Sequence, residues 1–354
     1  MLNLNHKQPW LNTAWSDLLF ILAPAFLSLL LVFMFPAQFQ HTIDIPLVYW
    51  VFLIVFIDVA HVYSTLYRTY FNISTLKQQR TLLLLIPVIC YISGVFVYKF
   101  DALWFWRILA YLAVYHFVRQ QYGFMRLYTR NEDSSKLIHF IDKTAIYVAT
   151  LYPLLFWHLN SSRNFNWFIA GDFLNFQNEP LLQMAKWLYV AVILAYLTKE
   201  VISVYRQKWL NIPRNLLIFG TFLSWYFGIV YFNGDMAFTT LNVLSHGIPY
   251  MALIWFFEKK KYQSGKRNSK LMKLSFGRYG LIIFFIVLVA LAYVEEGFWD
   301  GFIWQEHQAV FKPFANLPRI SSQELLSLII PLLALPQATH YVLDGFIWKA
   351  KNKF

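Results

Sequence analysis

Leu325-Leu-Ser-Leu-Ile-Ile-Pro331-Leu-Leu-Ala-Leu-Pro336-Gln-Ala-Thr-His340-Tyr-Val-Leu-Asp344-Gly-Phe-Ile-Trp348 decides how this chain is read. The stretch is long and apolar enough for a membrane helix, which needs roughly 20 residues. On such a helix His340 and Asp344 stand one turn apart on the same face. An ionisable side chain inside hydrocarbon costs a few kcal/mol, so it persists where it faces a protein interior and binds something.

Three other apolar runs carry one histidine each in the same manner: His61, His116 and His246. Of the 354 residues 58% are hydrophobic, 20% aromatic and only 14% charged, too few charges to clothe a water-soluble domain of this size. The apolar residues come in continuous runs rather than in alternation, which excludes a β-barrel. The reading is an all-α, polytopic helical bundle forming one integral membrane domain over residues 1–354.

Ten spans are expected, at about 17–35, 45–66, 81–98, 102–123, 138–158, 183–205, 215–232, 236–257, 279–295 and 322–348. Tight links are expected around Lys99 and Asp101 and around Asn233-Gly234-Asp235. Lys and Arg alternate between dense and bare loops. The densest run is Lys259, Lys260, Lys261, Lys266, Arg267, Lys270, Lys273 and Arg278, and Lys349, Lys351 and Lys353 follow at the end. By the positive-inside rule this places both termini in the cytoplasm, with the protein multi-pass in the cell (inner) membrane. The same rule accounts for the formal charge of +12 without any nucleic-acid partner. The polar start (Asn3, Asn5, His6, Lys7, Gln8) precedes an apolar run that lacks a convincing cleavage site, so that run is expected to be a retained helix. Asn160-Ser161-Ser162 fits a glycosylation sequon, relevant only in a eukaryotic secretory membrane.

Two loops are aromatic: Phe165, Trp167, Phe168, Phe173 and Phe176 in one, Phe298, Trp299, Phe302, Trp304, Phe311 and Phe314 in the other. They read as interfacial segments, or as a lid over a lipid-accessible entrance. Asp300-Gly-Phe-Ile-Trp304 recurs as Asp344-Gly-Phe-Ile-Trp348 without matching flanks.

With ten spans and the N-terminus inside, the four histidines fall on even-numbered spans, roughly 10–20 Å from the cytoplasmic edge. They could therefore share one site. Asp58 precedes His61 by three residues, with Thr65 and Arg68 on the same face. Arg119, Gln120 and Gln121 follow His116, Asn242 precedes His246 by four, and Asp344 follows His340 by four. The candidate metal ligands are His61, His116, His246 and His340, with Asp58 or Asp344 as further ligands or as partners orienting the rings. Arg119, Gln120 and Asn242 are the candidate catalytic residues, and Arg119, Gln120 and Gln121 are expected to position a polar end of the substrate. The bland alternative is hydrogen bonding between helices. Arg119, near the inner end of its span, is otherwise expected to snorkel, to pair with Asp58 or Asp344, or to hold an anionic head group. Asp142 and Lys143 should be solvated or paired, and His6, His41, His139, His158 and His307 interfacial. Imidazole with carboxylate suits iron, manganese, zinc or copper. Cys90 is the sole cysteine, which excludes a disulfide within the chain and a thiolate cluster.

The stretches beginning at His61, His116, Ser245 and His340 resemble those of bacterial multi-pass membrane proteins with intramembrane histidines. Single histidines on separate helices are similar in arrangement to the membrane carotene dioxygenases, which implies iron. His246-Gly-Ile-Pro-Tyr250 faintly resembles the histidine region of membrane-bound O-acyltransferases, without their partner motifs. No desaturase histidine box, P-loop or GxSxG is present, and Gly220 and Gly228 form no dinucleotide fingerprint. The expected function is a membrane oxidoreductase or oxygenase, with a non-haem metal ion, foremost iron, acting on a lipophilic small molecule. The alternatives are a b-type haem electron carrier, a transporter with a His/Asp relay, and a membrane acyltransferase.

Overall fold

The computed structural model describes residues 7–39, 45–132, 135–160, 166–264 and 269–348. His6, His41, Phe165, Lys266, Arg267, the serines of the sequon and the C-terminal lysines lie outside them. Among the described residues every regular element is a helix. In chain order the longer ones are α1 (Ala14–Met34), α2 (Leu47–Arg68), α3 (Arg80–Phe100), α4 (Ala102–Tyr128), α5 (Lys136–Leu159), α6 (Glu179–Gln207), α7 (Ile212–Trp225, continued by a wider π-helical turn Tyr226–Tyr231), α8 (Asp235–Gln263), α9 (Lys270–Phe276), α10 (Gly280–Trp304), α11 (Gln323–Leu333) and α12 (Leu335–Ile347), with short turns of helix at Pro36–Phe39, Ile73–Gln78 and Lys312–Phe314.

Five of these, α1, α2, α3, α6 and α10, are long and apolar enough to cross a membrane, and the bent pair α11–α12 makes up to six. The expected ten spans are not met. The missing ones do form helices, but each carries polar residues that dilute any stretch of spanning length. These are Arg107, His116, Arg119 and Gln120 in α4, Asp142 and Lys143 in α5, Arg214 and Asn215 in α7, and Asn242, Ser245 and His246 in α8. With five or six spans the loop charges no longer fix the side on which the termini lie.

The expected span 322–348 is two helices bent by 44°. Pro331 and Pro336 each lack the N–H that would bond one turn back, so the ladder fails around Ala334. His340 and Asp344 consequently sit on α12 alone. The link between α3 and α4 is as tight as expected: Asp101 alone separates them, and its Oδ1 accepts from the amide of Trp104 at 3.0 Å.

The chain divides into two compact units, and the division falls within α4, after His116, and within α8, after Pro249. In the first unit (1–44, 117–166, 173–249) α5 packs along α6 and α7, and α7 along α1. Asp142, expected to be solvated or paired, is in a buried ion network here: it pairs with Lys199 and, at 3.5 Å, with Arg214, which also binds Glu132 and Glu200.

In the second unit (45–116, 167–172, 250–354) α3 packs along α11 and α12, and α2 along α10 and α12. Of the aromatic loop residues of this unit, Trp299 and Phe311 are buried and Trp167, Phe168 and Phe302 are partly buried, while Phe298 and Trp304 stay exposed. Trp106 of α4 touches Phe168, Trp299 and Trp304 at ring separations of 5.7–6.3 Å. Asp172 fixes the first of these loops by accepting from the amides of Trp167 and Phe168 at 2.8 and 2.6 Å. Both copies of the repeated pentapeptide end a helix, α10 in one case and α12 in the other.

Candidate metal centre

Helix α2 does not keep one periodicity. Val51–Val59 is π-helical, and regular α-helix resumes at Ala60. Such wider turns recur at functional sites because they re-aim the side chains that follow. His61 follows at once and turns inward, 1% exposed. Asp58, still within the π segment, remains half-buried, with Oδ1 3.7 Å from His61 Nδ1.

His61 of α2, His116 of α4 and His340 of α12 meet inside the second unit. One ring nitrogen from each lies within 4.8 Å of the other two, and all three side chains are buried. Nε2 of His116 and Nε2 of His340 are 3.1 Å apart. Two nitrogens about 2.1 Å from one ion are separated by roughly 3.0–3.4 Å when they are neighbouring ligands. The three-histidine group could therefore hold a metal ion.

The outer nitrogens are held by a second set of residues. His116 Nδ1 is 3.2 Å from Oδ2 of Asp344. His340 Nδ1 is 2.7 Å from Thr65 Oγ1, which is 3.0 Å from the Tyr250 hydroxyl. Tyr250 in turn donates to Asp344 Oδ1, which also accepts from Trp348 Nε1 at 3.2 Å. The Tyr250 ring meets all three imidazoles edge-on, at 5.1–5.9 Å. Behind this layer the Arg68 guanidinium lies 4.0 Å from each of the Phe257 and Trp348 rings, donates to the carbonyl of Ile347 and pairs with Glu258 at 3.4 Å. Asn72 donates to the same carboxylate at 2.9 Å.

Of the six expected ligands, then, three histidines converge. Asp344 bonds the outer nitrogen of one of them, and Asp58 stands beside another. His246 lies in the first unit, buried, with its ring stacked on Phe117 at 3.5 Å and its backbone carbonyl accepting from Gln120 Nε2 at 2.9 Å. The expected catalytic residues are in the same unit. Arg119 donates to the Tyr147 hydroxyl at 2.7 Å, and Asn242 donates to the Phe238 carbonyl at 2.9 Å. Thr65 and Tyr250 were not among the expected site residues. Thr65 carried a signal, one turn after His61. Tyr250 carried none, being one tyrosine among many.

No family model matches the chain, and no curated protein or solved structure is found to be similar to it.

Proposed function

We propose that the protein is an integral-membrane non-haem metalloenzyme, an oxidoreductase or oxygenase of a lipophilic small molecule, with the ion held by His61, His116 and His340. The observation that carries this is the convergence of three buried imidazoles from three helices, two of them bonded on their outer side to oxygen groups. Ligating histidines ordinarily have such an outer partner, which fixes the ring and raises its basicity. A set of nitrogen ligands with a carboxylate close by suits iron, and three protein ligands leave coordination positions open for dioxygen or substrate. The apolar composition of the unit and its long apolar helices suit a substrate drawn from the lipid phase.

Haem is the weaker reading. Axial histidines stand on opposite faces of a macrocycle, about 4 Å apart, twice a metal–nitrogen bond. Between His116 and His340, nitrogens 3.1 Å apart leave no room for that ring.

The test is dioxygen uptake by detergent-purified protein loaded with iron(II), with and without an extract of membrane lipids, beside a His340→Ala variant. The proposal expects no Soret band, and uptake that the extract stimulates and the variant lacks. A Soret band, or uptake equal in the variant, would remove it.

A further inference from the structure

The three-histidine reading is the premise here, and two residues join it: we infer that Thr65 and Tyr250 are positioning residues that hold His340 and His116 in the tautomer presenting both Nε2 atoms to one ion.

The inference follows from counting protons. A phenol has one, and Tyr250 directs it at Asp344. The Tyr250 oxygen therefore meets Thr65 as an acceptor, and Thr65 supplies its own proton to that 3.0 Å contact. Thr65 Oγ1 is then the acceptor for His340, whose Nδ1 must carry the ring proton across 2.7 Å. On the other branch His116 Nδ1 donates to the Asp344 carboxylate at 3.2 Å. The indole of Trp348, which can only donate, occupies the same carboxylate. Asp344 is thus the common end of two donor chains, one direct and one through Tyr250 and Thr65. A neutral imidazole protonated on Nδ1 has its lone pair on Nε2. Two such lone pairs face each other at 3.1 Å, which is unfavourable unless a cation lies within reach of both. Thr65 and Tyr250 are 3% and 1% exposed, leaving little room for bulk water to stand in for either hydroxyl.

The experiment uses the full chain in detergent with copper(II) as a paramagnetic probe and cobalt(II) for affinity, comparing wild type, Tyr250→Phe, Thr65→Val and Thr65→Ser. Loss of either hydroxyl should weaken cobalt binding on the order of 10–100-fold, the range for outer-sphere partners of ligating histidines. Thr65→Ser keeps the hydroxyl and should retain the wild-type affinity. Pulsed electron paramagnetic resonance of bound copper reads the outer imidazole nitrogens directly. Their quadrupole couplings should shift in Thr65→Val and Tyr250→Phe and not in Thr65→Ser, which a purely structural role would not produce. Metal held by the wild type, with affinities and couplings unchanged in both hydroxyl-deleted variants, would overturn this inference and leave the three-histidine site standing. A wild type that takes up neither ion would remove both. If Tyr250→Phe does not fold, the Thr65 pair decides alone.

Discussion

Asp344→Asn is the substitution whose effect the geometry fixes best. Asp344 receives three side-chain donors: the Tyr250 hydroxyl, the Trp348 indole at 3.2 Å and His116 Nδ1 at 3.2 Å. Asparagine keeps the size but replaces one acceptor oxygen with an NH2 donor. If the remaining oxygen keeps Tyr250 and Trp348, the NH2 faces His116 Nδ1. The ring then escapes a donor–donor clash only by moving its proton to Nε2, the atom that would bind the ion. If the oxygen turns to His116, Tyr250 loses its acceptor and the chain to His340 is released. Either outcome disables one ligand's alignment without deleting it. The expected loss of metal affinity is on the order of 10–100-fold, or about 1.4–2.7 kcal/mol. The assay is cobalt(II) titration of purified protein in detergent, with circular dichroism to confirm retained helix. Were Asp344 itself a ligand, the loss should be larger, roughly that of a histidine deletion. An affinity within about twofold of wild type would refute the assignment of Asp344 to the outer nitrogen of His116.

Two further outcomes follow from the same geometry. His246→Ala should leave the metal affinity within about threefold of wild type, well short of the loss on deleting a ligand, because His61, His116 and His340 already supply three ligand nitrogens and the buried His246 ring is stacked on Phe117. The titration that tests Asp344→Asn measures it, and loss of the metal would restore His246 as a ligand. Gly301→Ala should lower thermal stability in detergent, by about 1–3 kcal/mol as for overpacked cores, since an added Cβ would lie 2.7 Å from the Phe314 carbonyl oxygen and 2.9 Å from Leu317. A melting temperature equal to wild type would show that this close approach is not maintained.

Much of this site could be read from the chain because polar residues stand out against an apolar background. His61, His116, His340 and Asp344 announce themselves in that way, and the structure brings them together. His246 announces itself equally well; its ring is stacked on Phe117. The shared depth inferred from even-numbered spans was no guide, since it depended on a count of ten that the helices do not meet. That count failed for a related reason. Helices α4 and α8 bear the very polar residues that mark a site, and those residues take them out of the class of evidently membrane-crossing helices. The bend between α11 and α12 was legible in Pro331 and Pro336, although a single span was expected there. Tyr250 was hidden by abundance: in a chain with 22 tyrosines, only the fold reveals which one bridges a threonine and a carboxylate.

The most direct measurement is the metal content of the purified protein after incubation with iron(II), zinc(II) and manganese(II) and removal of excess, for wild type and for His61→Ala, His116→Ala and His340→Ala. The expected result is about one equivalent of one ion in the wild type, lost in each variant that retains its helical spectrum. Folded wild-type protein that holds no ion under any of these conditions would contradict the three-histidine centre outright.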